Sequence, residues 1–576
     1  MTHSIGIVDR MRWMSVWGAA AAASLALAIA LHSGNGQSLA LQPAPSSPSS
    51  ALPAPTGSTS PLDPRIAAIA ARHPGQIVQT IVQFKAGVSA ERARWIVTRA
   101  SGKVFGELHI INALAVRLSA AHARLLAQSP DVHAVSLNAA VRAMGDPTRA
   151  TDGRGGGQGR NIKTGSLQTT YDQTMGVTGL WQNGINGSGI GVAVIDTGID
   201  GNLPDFQNAN GGGSRVVETA VTNPDATTAT DSYGHGTDVA GIIAGNGDSL
   251  SPSDPLHGRY IGVAPHANLI SIKASDEEGN ATVLDVIYGL QFAVDHRADY
   301  NIRVVNLSLD SRTQQSYRTD PLDAAAESAW MHGIVVVAAA GNRGTEPGAV
   351  SYAPANDPYV ITVGAVDENG TADPTDDTIP AWSSRGISQD GFQKPDVYAP
   401  GAHIVSVLAP NSAFASMCPS CTIAGEYIAT SGTSMATAAV SGLVADLLQA
   451  HPLWDPAQVK GALLSASVAS NPSIQEVDAT KASALVWPAV ADRGLTPNSL
   501  IADARGDIDY SQSSWSQSSW STASGALSAA FAQSSWSCSC VTSNGDSVGP
   551  STSSWSTSSW STSSWSTYFD PNSGAS

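Results

Sequence analysis

Apolar and polar positions alternate in short blocks over residues 76–144, and this alternation predicts a small α+β unit. Ser89 precedes the first helical block, where its side chain can cap free backbone N–H groups. The predicted elements are strands at residues 77–84, 109–118 and 132–137 and helices at 89–100 and 119–128.

From about residue 189 the pattern changes to continuously apolar strands that alternate with helices. Strands that are apolar on both faces are typical of a parallel sheet covered by helices on both sides. Residues 169–487 are therefore predicted to form a three-layer α/β domain with a mostly parallel sheet. Functional groups in such sheets gather at the carboxyl ends of the strands.

The segments around these units have compositions that do not favour a packed core. Arg10 and Arg12 precede an apolar run, so residues 1–31 are predicted to be an export signal peptide or, alternatively, an uncleaved membrane anchor. Residues 32–75 are rich in Pro and Ser, and residues 145–168 contain a Gly-rich run. They are predicted to be a linker and a protease-sensitive processing segment.

Residues 488–576 carry Ser-Ser-Trp-Ser repeats whose spacing suits neither a helix face nor strand alternation. Evenly spaced Trp side chains can grip a glycan, a cell wall or a partner. A tail without a binding role is the alternative.

The charge is unevenly distributed along the chain. Residues 1–160 carry 15 Lys and Arg against 7 Asp and Glu, a balance of +8. Residues 161–576 carry 15 against 40, a balance of −25. The acidic residues 161–576 argue against a nucleic-acid partner and should attract the basic residues 1–160. Exported proteins are often acidic, which would give the same balance.

The four cysteines lie in two close pairs, Cys418 near Cys421 and Cys538 near Cys540. Export would let them oxidise, and no His stands at metal-ligand spacing around them. The sequence therefore favours disulfides over a metal site without fixing which cysteines pair.

An apolar strand ends in Asp196, within the string VIDTG. A poorly hydrated carboxylate in this position can hold an imidazole in one tautomer and stabilise the imidazolium. Alone, such an Asp is more often a turn or capping residue.

His235 opens a helix between two glycines, within the string GHGTDVAGIIAG. An imidazole that titrates near neutrality can accept a hydroxyl proton and return it to a leaving amine. Alone, such a His is usually a capping or surface residue.

Ser434 stands at the start of another helix, within the string SGTSMAT. A helix N-terminus favours negative charge, which suits a nucleophilic oxygen and the oxyanion formed by its attack. A capping Ser is the alternative. Asn342 follows an apolar strand in AAAGN, where its amide can donate to that oxyanion.

Together and in chain order, VIDTG, GHGTDVAGIIAG, AAAGN and SGTSMAT resemble the subtilisin-like serine proteases, or subtilases. The resemblance implies a secreted serine endopeptidase that needs no cofactor for its chemistry. It implies a catalytic triad of Asp196, His235 and Ser434, with Asn342 in the oxyanion hole. The substrate-binding residues implied by the resemblance are Ser308, Leu309, Asp310, Ala339, Ala340 and Gly341.

The resemblance also implies how the protein is made and what it binds. Polypeptide substrates should bind as an added strand. Residues 76–144 resemble an inhibitory propeptide that assists folding, with a maturation cut expected between Ala143 and Thr169.

Three places depart from the family pattern. The family usually has His where Asp238 stands, Gly where Asp310 stands, and a Pro-His or similar pair where Ala438 and Ala439 stand. Asp310 is expected to narrow the pocket mouth or to favour a nearby basic side chain. Ala438 is expected to shift Ser434 slightly and to lower the activity.

Asp205 matches a position that ligates calcium in many relatives, but the loop after Asn246 is longer than theirs. Structural calcium and a solvated surface Asp are both consistent with the sequence.

A scaffold that presents the Trp tail is the competing hypothesis, because of the substitutions beside Ser434. Acid-acting relatives that use Glu in place of His would have Asp where Asn342 stands and would lack GHGT. The intact triad and Asn342 favour the endopeptidase.

Overall fold

A computed structural model describes residues 61–148, 170–208, 212–471, 474–499 and 501 of the 576-residue chain. The predicted signal segment, most of the processing segment, the Trp repeats and the cysteines Cys538 and Cys540 lie outside these ranges. Within the ranges, each helix is too short or too polar to cross a bilayer.

The first unit is a small antiparallel sheet covered on one face by helices. Its elements are α1 (Pro64–Arg72), β1 (Ile77–Phe84), α2 (Ala90–Arg99), β2 (Lys103–Leu108), β3 (Ala113–Ser119), α3 (Ala120–Leu126) and β4 (Val132–Leu137). The strand order is β2-β3-β1-β4. Apolar side chains from the three helices and one sheet face form a separate small core.

Most predicted elements of this unit are confirmed, including the capping of α2 by Ser89. The strand predicted at residues 109–118 is shorter, because His109–Ile111 form a 3-10 turn and Asn112 takes a left-handed conformation at φ 49°. Asn tolerates that conformation better than most residues. The chain thereby reverses, and the unpredicted strand β2 pairs with β3.

Helix α1 lies inside the range predicted as a linker. Asp63 caps it by accepting from Arg65 N at 2.8 Å and also accepts from Leu137 N at 3.0 Å, which ties the helix to β4. The linker boundary at residue 75 is therefore wrong. Pro64 suggested a linker, but proline is also favoured at the first position of a helix.

The body is a larger α/β unit. Its helices are α4 (Thr170–Thr174), α5 (Val177–Trp181), α6 (His235–Ala244), α7 (Val283–Asp295), α8 (Pro321–Met331), α9 (Ala413–Met417), α10 (Thr433–Ala450), α11 (Pro456–Ala466) and α12 (Ala479–Ser483). Its strands, with β5 leading into it, are β5 (Ala140–Ala143), β6 (Gly191–Asp196), β7 (Val216–Val221), β8 (Asn268–Lys273), β9 (Ala281–Thr282), β10 (Ile302–Leu307), β11 (Leu309–Ser311), β12 (Val335–Ala339), β13 (Ile361–Val366), β14 (Gly386–Ile387), β15 (Gln393–Lys394), β16 (Val397–Pro400), β17 (Ile404–Val407), β18 (Thr422–Ile423), β19 (Tyr427–Thr430), β20 (Val468–Asn471) and β21 (Ile474–Glu476).

The central sheet has nine strands in the order β20-β21-β16-β13-β12-β10-β6-β8-β7 within the described residues. Neighbouring strands are parallel except for the β20–β21 pair. Helices α6 and α10 pack together against this sheet, and α7 and α8 form a second contacting pair. The predicted three-layer α/β fold with a mostly parallel sheet is confirmed.

The face of the small sheet that its own helices leave free packs on α7 and α8 of the body. Gln291 Nε2 donates to Glu107 O at 3.3 Å, and His109 Nε2 lies 2.8 Å from Asp295 Oδ1. Beyond this contact, β5 is inserted between β11 and β9 as the middle strand of a three-stranded sheet.

The body extends beyond the predicted boundary at residue 487. Asn498 is fully buried, and its Nδ2 donates to Tyr317 O and, at 2.9 Å, to Asp320 O. Its backbone N–H donates to Glu327 Oε2 at 2.8 Å. The domain therefore includes residues up to at least 499, and the predicted start of the tail at 488 is wrong. The sequence did not reveal this because a single buried polar residue such as Asn498 produces no periodic pattern.

We expect Asn498→Ala to lower the free energy of unfolding by about 1–3 kcal/mol, because two buried carbonyls lose their donor. Both proteins to be compared carry Ser434→Ala, which removes the predicted peptidase activity. Urea unfolding with and without Asn498→Ala then measures the change. Ser499→Ala is the control, since Ser499 donates from an exposed position to Arg318 O. An equal loss in both variants would contradict this role of Asn498.

Candidate active site

Three predicted side chains meet at one edge of the central sheet. Asp196 is the last residue of β6, His235 the first of α6 and Ser434 the second of α10. His235 Nδ1 lies 2.6 Å from Asp196 Oδ1, and His235 Nε2 lies 3.0 Å from Ser434 Oγ. All three are buried. The order carboxylate, imidazole, hydroxyl is the one that lets a base take the hydroxyl proton.

The surroundings of His235 favour its protonated form. Burial alone would lower the pKa of His235, but the charge and hydrogen bond of Asp196 raise it above the ordinary value. Asp231 adds to this effect at longer range, and Asp238 does so only in its charged form. An imidazolium formed by proton transfer is therefore stabilised in place.

A buried hydrogen-bond network fixes the His235 loop relative to Asp196. Asp231 accepts from Gly234 N at 2.7 Å, from Thr237 N at 2.8 Å and from Thr197 Oγ1 at 2.8 Å. Thr197 Oγ1 in turn accepts from Gly236 N at 2.8 Å. Neither Asp231 nor Thr197 was predicted as a site residue, although Thr197 belongs to the VIDTG string.

The amide of Asn342 is oriented by the start of α10. Its Oδ1 accepts from Thr433 N at 3.0 Å and from Thr433 Oγ1 at 3.1 Å. Its Nδ2 therefore points the other way and donates to Met144 O. This is the geometry of a donor aimed at a carbonyl oxygen next to the triad.

The segment after β5 crosses the triad. Met144 N donates to Ser308 O at 3.0 Å, and Ser434 Oγ lies 3.1 Å from that same carbonyl oxygen. A Cβ added at Gly145 would lie 2.6 Å from His235 Nε2, and one at Gly432 would lie 2.6 Å from Met144 O. The Met144–Gly145 peptide bond therefore lies in close contact with the His235 imidazole on one side and the Gly432 backbone on the other.

The predicted pocket residues after Ser308 lie on two segments, one that pairs with β5 and one that leads to Asn342. Leu309 and Asp310 pair with Ala143 and Arg142 in β11 and β5. Ala339 ends β12, and Ala340 and Gly341 carry the chain from there to Asn342. A pocket role for these last three stays a prediction. Arg343 was not predicted, and its Nη1 donates to Asp310 Oδ2.

The substitutions flagged in the sequence are accommodated in the core. Asp238 is fully buried, accepts from Thr430 Oγ1 at 2.8 Å, and burial raises its pKa to about 8. Ala438 and Ala439 lie within the buried first half of α10. Ser434 keeps its hydrogen bond to His235 despite these changes.

The surroundings of Asp205 do not fit a calcium ion. Its Oδ1 accepts from Gly247 N at 2.5 Å, and its Oδ2 accepts from Ser249 N at 3.1 Å and Tyr427 Oη at 2.9 Å. These hydrogens would face a cation, whereas calcium takes six to eight oxygen ligands. Among the described residues, no group of three metal-binding side chains lies here or elsewhere.

A loop closed by a disulfide lies close to the segment that follows Met144. Cys418 and Cys421 are bonded to each other, as the sequence favoured. Cys421 Sγ lies 3.4 Å from Pro147 O, three residues past Met144. The ring of Phe414, in the preceding helix α9, meets His235 edge-on with 5.8 Å between ring centres.

Comparisons with known proteins show the family to which this chain belongs. The profile of the Subtilase family matches residues 187–480. The chain is 38% identical over 281 residues to Serine protease AprX of Bacillus subtilis (strain 168), covering 48% of this chain and 60% of that protein. It is 32% identical over 390 residues to Subtilisin E of the same strain, covering 67% and 84%.

A solved structure gives the same result for the fold. Fervidolysin from Fervidobacterium pennivorans, described as a keratinolytic enzyme related to subtilisin, superposes with a TM-score of 0.54 at 25% identity. The match covers 72% of this chain and 62% of that one. The chain thus spans about three fifths of fervidolysin and of AprX.

We expect Asn342→Ala to lower kcat for a peptide substrate about 10²- to 10³-fold with little change in KM, because the donor acts on charge that develops only in the transition state. Thr433→Val should lower kcat less, since the backbone N–H still orients the amide. Thr437→Val is the control one turn further along α10, where Thr437 Oγ1 donates to Thr433 O. Losses in KM rather than kcat would contradict the assignment.

Proposed function

Because the chain belongs to the subtilase family of serine proteases, we propose that it is an exported endopeptidase made as a self-processing precursor. Residues 61–144 act as its propeptide, and the body from residue 145 onward is the protease. Its substrates are extended polypeptides that add a strand beside β11.

The first reaction is hydrolysis of the Met144–Gly145 bond. Ser434 Oγ attacks the Met144 carbonyl carbon while His235 Nε2 takes the hydroxyl proton, and Asp196 stabilises the imidazolium. Asn342 Nδ2 donates to the oxyanion. His235 then gives the proton to the Gly145 nitrogen, which leaves, and water attacks the resulting Met144 acyl-enzyme to release a carboxylate and restore Ser434.

The observation that carries this proposal is the position of residues 140–145. They pair with β11, place Met144 N on Ser308 O, and direct Met144 O to Asn342 Nδ2. This supports a cut after Met144, within the range of residues 143–169 expected from the sequence. Later substrates would present their own backbone in the same way.

We expect amino-terminal sequencing of the mature wild-type protein to begin at Gly145, whereas Ser434→Ala remains uncut. A fluorophosphonate probe should label Ser434 in the mature protein, with the adduct located by mass spectrometry. Thr437→Ala is the matched control, since it removes a hydroxyl from the same helix and should process normally.

Two results would overturn parts of this proposal. A correctly cut and folded body that takes no label would favour the scaffold hypothesis. A mature terminus elsewhere would leave the protease standing and remove the assignment of Met144–Gly145.

The proposed cut also bears on export. Hydrolysis after Met144 separates the body from residues 1–144, so an uncleaved segment 1–31 would not hold the mature body covalently to a membrane. We therefore expect the body to be released outside the cell in either case. The Trp repeats stay covalently attached to the body after this cut, and their binding to glycan or cell wall stays a prediction.

After cleavage, the propeptide is proposed to remain bound as an inhibitor, in part through His109 and Asp295. Burial alone would lower the pKa of His109, but the charge and hydrogen bond of Asp295, aided by Glu107, raise it. Burial raises the pKa of Glu107 to about 7 against the opposing effect of Arg94. Because Asp295 belongs to the body, docking therefore favours the protonated form of His109, and the charged form of Glu107 adds to that effect.

We expect propeptide docking to be strongest below the ordinary histidine pKa of about 6.5 and to weaken as the pH rises through the raised value. Size-exclusion chromatography of the cleaved complex from about pH 6 to pH 8 measures the bound fraction. His109→Gln should flatten this dependence, whereas His122→Gln, on a helix that faces away from α7 and α8, should not. Release that increases on acidification would contradict the sign.

A further inference from the structure

Asp310 stands opposite the third residue before the cleaved bond, counting Met144 as the first. Strands β5 and β11 are antiparallel, with Leu309 paired to Ala143 and Asp310 to Arg142. Directly opposite residues of an antiparallel pair have side chains on the same face. A substrate bound in this register therefore places its third side chain beside the Asp310 carboxylate.

One oxygen of that carboxylate is occupied and the other is not. Arg343 Nη1 donates to Oδ2, while Oδ1 lies 3.8 Å from Arg142 Nε. Within the described residues, both Oδ1 and Arg142 Nε are buried atoms without a hydrogen bond. The carboxylate itself is only 1% exposed. Oδ1 is therefore an unused acceptor that faces the substrate side chain.

Arg343 donates to one oxygen of Asp310 and is stacked on Tyr352. Its guanidinium carbon lies 3.7 Å from the centre of the Tyr352 ring. A Cβ added at Gly341 would lie 3.2 Å from Arg343 Nη1 and 3.6 Å from Asp310 Oδ2, so the ion pair is packed against the backbone next to Asn342. The stacked guanidinium keeps Asp310 fixed and leaves Oδ1 directed at position 142.

The remaining charges near Asp310 do not reverse this preference. Burial raises the pKa of Asp310 above its ordinary value, although Arg343, Arg142 and Arg312 oppose that rise. A basic substrate side chain gains the acceptor Oδ1, although it shares the carboxylate with Arg343. A neutral side chain leaves that oxygen without a partner from the substrate, and an acidic one faces a carboxylate at close range.

We propose that Asp310 is a specificity-determining residue that selects Arg or Lys at the third substrate position before the cleaved bond and disfavours Asp or Glu there. The inference rests on the proposed endopeptidase function and names the substrate class of that site. Arg142 in the chain's own propeptide is then the first side chain to bind beside Asp310.

The test uses the mature protease and four peptides of the form Val-Xaa-Ala-Met, each carrying a fluorogenic amine after Met, with Xaa as Arg, Lys, Ala or Glu. We expect kcat/KM for Arg to exceed that for Ala by about fivefold, and that for Ala to exceed that for Glu by a similar factor. Added salt should reduce both ratios, because part of the side chain at this position is exposed.

In Asp310→Asn, which keeps the shape of the side chain, the ratio of Arg to Glu should fall to below about twofold. Ratios within one variant do not depend on how much enzyme is active, so a partly damaged variant still reports on selectivity. Equal ratios in wild type and Asp310→Asn would overturn the inference. If wild type cleaves none of the peptides, the proposed function itself fails instead.

The precursor offers a second measurement. Arg142→Glu should slow self-processing several-fold, and combining it with Asp310→Asn should recover most of the rate. Arg124→Glu makes the same charge change on α3, away from the cleft, and should process at the wild-type rate. Equal slowing by Arg142→Glu with and without Asp310→Asn would also overturn the inference.

Discussion

Strands β6, β10 and β12 run parallel and side by side, so they all end at one edge of the central sheet. The chain leaves these strands through Asp196, Ser308 and Asn342, which are therefore neighbours in space. Helices α6 and α10 pack together against the sheet, and their first turns place His235 and Ser434 at this edge. Since close packing resists small displacements, the distances between reacting groups are set by the core rather than by the loops.

The buried charges around His235 are arranged so that one carboxylate dominates. Asp196 contacts the imidazole directly, whereas the hydrogen bonds of Asp231 hold the loop that carries His235. Asp238, where the family usually has His, has a pKa of about 8 because it is buried, so it is mostly uncharged near neutral pH. The substitution therefore adds little negative charge beside the base near neutrality, which is consistent with the intact geometry of Ser434.

The sequence identified the residues at strand ends and helix starts because local strings carry that information. VIDTG, GHGT and SGTSMAT led to the three groups that meet, AAAGN led to Asn342 beside them, and continuously apolar strands led to the sheet. It could not reveal contacts between distant segments, such as Thr433 with Asn342, Arg343 with Asp310, or Asn498 with Tyr317. It also missed α1, since a proline that opens a helix reads like a linker. The position of Met144 depends on strand pairing across the chain and carries no local signal.

The pairing of β5 between β9 and β11 gives residues 140–144 two successive roles in the proposed mechanism. The same hydrogen bonds that present the Met144 carbonyl to Ser434 would hold the product carboxylate after the cut, so cleavage alone does not open the cleft. Release of the propeptide must instead weaken its other contact with the body. There the small sheet packs on α7 and α8, and His109 meets Asp295. Because that contact lies away from the reacting bond, its strength can change without altering the chemistry. In the proposed mechanism, cutting and activation are thus separable steps, and the charge of the contact between His109 and Asp295 sets the interval between them.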